Sequence, residues 1–179
     1  MKNLKQVYIV DGDRNTGKTV FVLKLIELLK KTNLKFNGVL ASSVINHSGT
    51  KDYDLHFLDT EALLPFASNE AKIDWQQYRH FYFNPLAVQA GNTLLQHCAS
   101  NQFDLVIIDE IGIFELEGLL WADSLTLLLQ STNSLLLTVR TKLMERVINH
   151  WNIQNVEIVD KKTIILDLLC QKLHANFQQ

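Results

Sequence analysis

Eight residues restrict this chain more than any others: Gly12-Asp13-Arg14-Asn15-Thr16-Gly17-Lys18-Thr19. Two glycines bracket four residues, and Lys and Thr follow at once, which is the G-x-x-x-x-G-K-[ST] spacing. Glycine lets the backbone turn back so that successive N–H groups point inward at phosphate oxygens. Gly17 opens a helix whose N-terminus adds partial positive charge. Lys18 then reaches the outer phosphates, and the Thr19 hydroxyl takes one position on Mg²⁺. A chance match in a chain this long occurs on the order of once in a hundred chains. Context narrows it further. The apolar run "VYIV" (7–10) precedes the loop and "VFVLKLIELL" (20–29) follows it, the strand–loop–helix order a phosphate cradle requires. Gly12, Asp13, Arg14, Asn15, Thr16, Gly17, Lys18, Thr19 and Val20 are therefore the expected nucleotide-binding residues. Asp11 and Asp13 sit awkwardly there, since carboxylates repel a triphosphate; Arg14 is positioned to offset Asp13, or both face solvent.

Three further apolar runs read as strands: "LVIID" (105–109), "SLLLTV" (134–139) and "VEIV" (156–159). They are continuous rather than alternating, as strands are when both faces are covered. Helical patterns lie between them at 17–31, 85–100, 119–130, 141–151 and 162–174, and Pro85 suits a first helical position. Strands alternating with helices mean an α/β fold with a mostly parallel sheet between helix layers. Pro (two) and Gly (seven) are scarce and no linker or repeat is visible, so residues 1–179 are expected to form a single domain. One stretch departs from the alternation. "GVLASSVI" (38–45), a polar turn with Ser48-Gly49, and "YDLHFLD" (53–59) read as a β-hairpin addition over 38–59. Residues 61–83, rich in aromatics, resist assignment; subdomain core is the favoured reading over sheet edge or pocket wall.

"FDLVIIDEIG" (103–112) supplies the complement to the loop. Its apolar run ends in Asp109 and Glu110. An acid at the end of a buried strand beside the phosphate loop holds Mg²⁺, so Thr19 and Asp109 are the expected metal residues. A second carboxylate at the tip can orient and deprotonate an attacking water. Lys18 and Glu110 are thus the expected catalytic residues. Arg140, just past "SLLLTV" at the C-terminal end of a strand, joins them as the arginine best situated to stabilise γ-phosphate charge, balanced against a plain helix-start role. Arg146 reads as a solvated helix residue, and Arg79, among aromatics, as one that stacks or reaches the nucleotide, stacking being the favoured reading.

With these motifs in view, the chain resembles the small nucleoside-triphosphatases, the cancer-related nucleoside triphosphatase family with bacterial and archaeal members. "GDRNTGKT", "IIDEIGIFEL" (107–116), the hairpin-like "GVLASSVINHSGTKDYDLHFLD" and "YRHFYFNPLAVQAGNTL" (78–94) carry the resemblance, over about residues 5 to 160. It implies a RecA-like P-loop fold and Mg²⁺-dependent hydrolysis of ATP, GTP and other nucleoside triphosphates to the diphosphate and phosphate. Lys18 and Thr19 would serve the phosphates and metal, Asp109 the Mg²⁺ and Glu110 the water. Glu115 falls on the Glu of a family turn, where it shapes the pocket or caps the next helix. Two departures mark a divergent branch. Ser43-Val44-Ile45 stands where members carry a Glu-Val-Arg type run, and Val159-Asp160-Lys161-Lys162 where they carry an Asn-Arg pair.

Composition narrows the partners. Formal net charge is −2, giving no basic field for nucleic acid and no polybasic segment for a membrane. No run approaches the roughly 20 apolar residues of a membrane span, and "MKNLKQVYIVDGD" carries no cleavage signature. Cys98 and Cys170 are far apart, in helical patterns, and read as free buried thiols. The six histidines lack metal-ligand spacing. The expectation is a cytoplasmic protein, monomer or homodimer, with ATP or GTP as substrate and Mg²⁺ as cofactor. Two rivals remain open. A nucleotide or small-molecule kinase would clamp a second substrate, usually with clustered arginines that this chain lacks. A low-turnover nucleotide-binding regulator would bind tightly and release almost nothing.

Overall fold

A computed structural model describes residues 5–13, 16–160, 164 and 166–177. Arg14, Asn15, Lys161 and Lys162, named above, lie outside them. In chain order the elements are β1 (Val7–Asp11), α1 (Lys18–Leu29), β2 (Phe36–Ile45), β3 (Lys51–Phe57), β4 (Leu63–Ser68), β5 (Gln76–Tyr78), β6 (Phe81–Phe83) and α2 (Pro85–Ser100). They continue with β7 (Leu105–Ile111), α3 (Ile113–Leu116), α4 (Ala122–Gln130), β8 (Ser134–Val139), α5 (Thr141–His150), β9 (Val156–Val159) and α6 (Leu166–Phe177).

The described strands form one sheet in the order β5-β6-β4-β3-β2-β7-β8-β1-β9. From β2 to β9 all neighbours are parallel. From β2 outward to β5 all are antiparallel. The expected hairpin is present as β2 and β3, and it is the start of a larger addition. Residues 63–83 supply three more short strands, and β2 belongs to both halves. It pairs with β3 on one side and with β7 on the other.

Side-chain alternation along the parallel strands divides the core into two layers. Tyr8, Val10, Leu105, Ile107 and Leu136 face α1 and α6, meeting Val22, Leu25, Leu29 and Leu169. Val7, Ile9, Val106, Ile108, Leu135 and Leu137 face the other way, towards Leu95 of α2 and Leu125 and Leu128 of α4. Continuous apolar strands are thus explained by helices on both faces. Asn84 caps α2 by accepting from the Leu86 N–H at 3.1 Å, with Pro85 in the first turn. Gly91 of α2 lets the helix rest on Trp121, since an added Cβ there would meet the indole ring at 2.6 Å. Gly38 is required more strictly: its φ is +143°, and a Cβ would lie 1.9 Å from the Ile107 carbonyl oxygen. Cys98 and Cys170 are both free and buried. No helix among the described residues is long and apolar enough to cross a membrane.

Candidate active site

The C-terminal ends of β1, β7 and β8 converge, as ligand sites of open α/β sheets do. Gly17 precedes α1 at φ +81° with open space around it, so the backbone angle rather than crowding calls for glycine. Lys18 begins the helix and is only 4% exposed. Its Nζ donates to the Asp13 carbonyl at 3.2 Å and stands 3.7 Å from Glu110 Oε1. Thr16 also donates its hydroxyl to the Asp13 carbonyl, at 2.7 Å, so that main-chain oxygen anchors the end of the loop while the Asp13 residue stays exposed. Val20 lies on the outer side of α1, 55% exposed, lining a shallow open cleft with Thr16, Gly17, Phe21, Lys24 and Ile164. Asp11 does not simply face solvent: Thr141 Oγ1 donates to its Oδ1 at 2.5 Å, tying the end of β1 to the start of α5.

Asp109 is 2% exposed and its carboxylate is fully engaged. Oδ2 accepts from Thr19 Oγ1 at 2.8 Å and from the Ala41 N–H at 3.3 Å, while Oδ1 accepts from Thr138 Oγ1 at 2.5 Å. Burial first, and the neighbouring Glu110 charge second, push its pKa up to about 6, against the pull of those hydrogen bonds. Thr138 is a member of this cluster that sequence reasoning passed over. Its signal was available, as one of two polar side chains in "SLLLTV" (134–139) and the one nearer the C-terminal end, but any threonine fits a strand.

The pairing of β7 with β8 is interrupted at this point. Ile108 pairs with Leu137 and Ile111 with Val139, so Asp109 and Glu110 together oppose the single residue Thr138. Glu110 occupies the left-handed region, φ +62°, a conformation that costs a non-glycine residue on the order of 1–3 kcal/mol. The Glu110 N–H is held by Thr138 Oγ1 at 2.8 Å. A bulge of this kind re-aims a side chain. The result is a Glu110 carboxylate between two cations: Oε1 at 3.7 Å from Lys18 Nζ and Oε2 at 3.7 Å from Arg140 Nη2. Arg140, on extended backbone ahead of α5, therefore joins Lys18, Glu110, Thr19 and Asp109 in one cluster.

The other arginines stand apart. Arg79 makes a bidentate ion pair with Glu117, through Nη2 to Oε1 and Nε to Oε2 at 3.2 Å, rather than stacking on the neighbouring rings. Arg146 is exposed on α5. Glu115 both caps and lines. Its Oε2 accepts from the Gly112 N–H at 2.8 Å, closing a capping box at α3, and it forms part of an aromatic cavity beyond Glu110. Burial drives its pKa up to about 7, with the Glu110 charge a lesser contribution.

An oxygen-donor pair, one buried carboxylate bonded to one threonine hydroxyl, suits a hard divalent cation whose remaining ligands are phosphate and water. The raised pKa of Asp109 beside Glu110 also marks a place where a cation relieves carboxylate repulsion.

Comparisons with known proteins identify the family and the fold. Residues 7–169 match the NTPase family. Nucleoside-triphosphatase THEP1 of Methanocaldococcus jannaschii is 23% identical over 164 residues, covering 89% of this chain and 93% of that one. The fold is shared with the solution structure of a human cancer-related nucleoside triphosphatase (TM-score 0.68, 19% identity, 97% of each chain). It is shared also with the crystal structure of THEP1 from the hyperthermophile Aquifex aeolicus (TM-score 0.72, 17% identity, 94% of this chain and 99% of that one). With a complete phosphate loop, an Asp-Glu strand tip and a family match over nearly its whole length, the chain belongs to the NTPase family of P-loop nucleoside-triphosphatases.

Proposed function

We propose that the protein is a Mg²⁺-dependent hydrolase that converts ATP, GTP and related nucleoside triphosphates to the diphosphate and phosphate, acting as a single domain. The observation that carries this reading is the Glu110 carboxylate, turned by the bulge to a point between Lys18 and Arg140. A carboxylate in that position orients water for in-line attack and accepts its proton as the new P–O bond forms. The bond to the leaving diphosphate oxygen breaks, and Lys18 and Arg140 stabilise charge on the transferred group. The phosphate-loop residues Gly12, Asp13, Thr16, Gly17, Lys18, Thr19 and Val20 would bind the phosphates, together with Arg14 and Asn15 of the same motif. Thr19 and Asp109 would hold Mg²⁺, which when bound neutralises phosphate charge. The Thr138 hydroxyl serves both acids at once, as donor to Asp109 and acceptor for the Glu110 N–H. It keeps their relative positions constant.

Phosphate release from ATP, GTP, CTP and UTP, with Mg²⁺ and no acceptor, tests this. Wild type releases phosphate; Lys18→Ala and Glu110→Gln each lower the rate by about a hundredfold or more. Glu110→Gln still binds nucleotide. Arg140→Ala lowers the rate by about a hundredfold with a smaller change in KM. Nucleotide binding without release in wild type would remove Glu110 as a working base.

A further inference from the structure

A second cavity adjoins the site on the side of Glu110 away from the phosphate loop. It shares Asp109, Glu110 and Arg140 with that site, and no described residue of the loop lines it. Its volume is about 90 Å³, and it opens to solvent. Six aromatic rings, of Tyr53, Phe66, Phe81, Phe83, Phe114 and Trp121, line it. Phe66 and Trp121 are stacked, centroids 5.5 Å apart and 13° from parallel, and Phe83 meets Phe114 edge-on at 5.1 Å. Rings held this way present flat faces and fixed edges to whatever enters.

One group in that wall is out of character. Glu115 is 1% exposed. Its Oε2 is used by the Gly112 N–H, but its Oε1 has no hydrogen-bond partner. The Glu115 and Trp121 N–H groups approach the carboxyl and favour its charged form, yet Oε1 itself is left without a hydrogen-bond partner. Among the described residues no Lys or Arg makes an ion pair with it. A buried carboxylate oxygen left alone costs free energy comparable to a lost hydrogen bond or more. Capping α3 requires only one of its two oxygens, so the cap does not account for the other. Replacement by Gln would have capped equally well without a charge.

We propose that this cavity is a second small-molecule site, whose ligand is an arylalkyl amine, a flat ring bearing a protonated amine: its ring lies among Phe66, Phe83, Phe114 and Trp121, and its N–H groups meet Glu115 Oε1. A protonated amine satisfies both halves of the wall, since the carboxylate supplies the counter-charge and ring faces attract a cation. The excess of carboxylates over cations at the cavity (Asp109, Glu110 and Glu115 against Arg140) selects against anions. The nucleotide phosphates belong with Lys18, on the other side of Glu110. The two ligands therefore share that side chain as a common wall and bind together. The proposal concerns binding alone and does not depend on hydrolysis.

The test uses the full chain and three matched probes: benzylamine, benzyl alcohol and benzoate. Binding is followed through the NMR signals of the Gly112 amide and the Trp121 indole N–H. Benzylamine shifts both saturably and binds about tenfold tighter than benzyl alcohol, benzoate produces no saturable shift, and excess Mg²⁺-ADP leaves the amine in place. In Glu115→Gln, whose side-chain carbonyl still accepts from Gly112, the preference for the amine over the alcohol falls to about twofold or less. Ala67→Leu, filling the cavity from the opposite wall, abolishes binding of both while the far-ultraviolet spectrum stays unchanged. Equal affinity for amine and alcohol in wild type, an amine preference that survives Glu115→Gln, or displacement of the amine by ADP would each overturn the proposal.

Discussion

The two halves of the sheet are built on different terms. In the parallel half, β8 is buried at every residue and β7 at all but one. In the antiparallel half, β5 has no buried residue, β3 buries only Leu55 and Phe57 on one face, and β4 is buried only over its last three residues. The parallel strands are locked between two helix layers and hold acids and cations at fixed separations. The antiparallel strands present aromatics to one side and water to the other, and so make a cavity wall rather than a frame. Phosphate chemistry needs the first kind of support, because a displacement of about 1 Å there is costly. Adaptable recognition of an apolar ligand is compatible with the second.

The largest effect that would break this comparison lies at the junction. Gly38→Ala forces a Cβ into the Ile107 carbonyl where β2 meets β7. The expected outcome is loss of cooperative folding, read by circular dichroism on heating; a near-normal melting curve would show that the halves are not joined by backbone contact. Trp121→Ala comes next. It removes the ring that stacks on Phe66 and fills the space left by Gly91, and should cost about 3–5 kcal/mol in urea unfolding. A loss below about 1 kcal/mol would mean that the aromatic wall is plastic.

The comparison is sharpened by pH. Glu115 titrates near 7 when folded against an ordinary 4.5, so the folded state binds its proton more tightly than the unfolded one. The stabilisation it contributes is complete below about pH 4.5 and is lost as pH rises through 7, a difference on the order of 3 kcal/mol. Asp109 acts with the same sign at lower pH, between 3.8 and about 6. Glu115→Gln should flatten the fall in stability between pH 5 and 7.5; an unchanged pH profile would mean that Glu115 is ionised when folded. The smallest effect belongs to Arg79→Ala. Its pair with Glu117 is exposed, so neither the urea midpoint nor phosphate release should change measurably. A large drop in release would instead bring the β5–β6 turn to the nucleotide.

Much of the parallel half was legible because its signals are local. "VYIV" (7–10), "SLLLTV" (134–139) and "VEIV" (156–159) coincide with β1, β8 and β9 to within a residue. The 85–100 helix has a cap, a proline and an apolar stripe in register. Residues 61–83 were not legible. Strands of three residues such as β5 and β6 carry too little pattern to show a period, and their aromatics suit a strand, a core or a pocket equally. Helix α4 begins at Ala122 rather than 119, since Leu120 takes a left-handed turn that no local residue type announces.

By itself the sequence determined the phosphate loop, the Asp109-Glu110 strand tip and the alternation of strands and helices. Each is written in consecutive residues whose chemistry does not depend on distant neighbours. Only the tertiary structure decided that Thr138 would serve both acids, that Arg140 and not Arg79 would face Glu110, and that Glu115 would be buried among rings. Those relations join residues about 30 to 60 positions apart through a β-bulge and a packed aromatic layer. Their energies arise from desolvation and contact, which exist only once the sheet has closed on its helices.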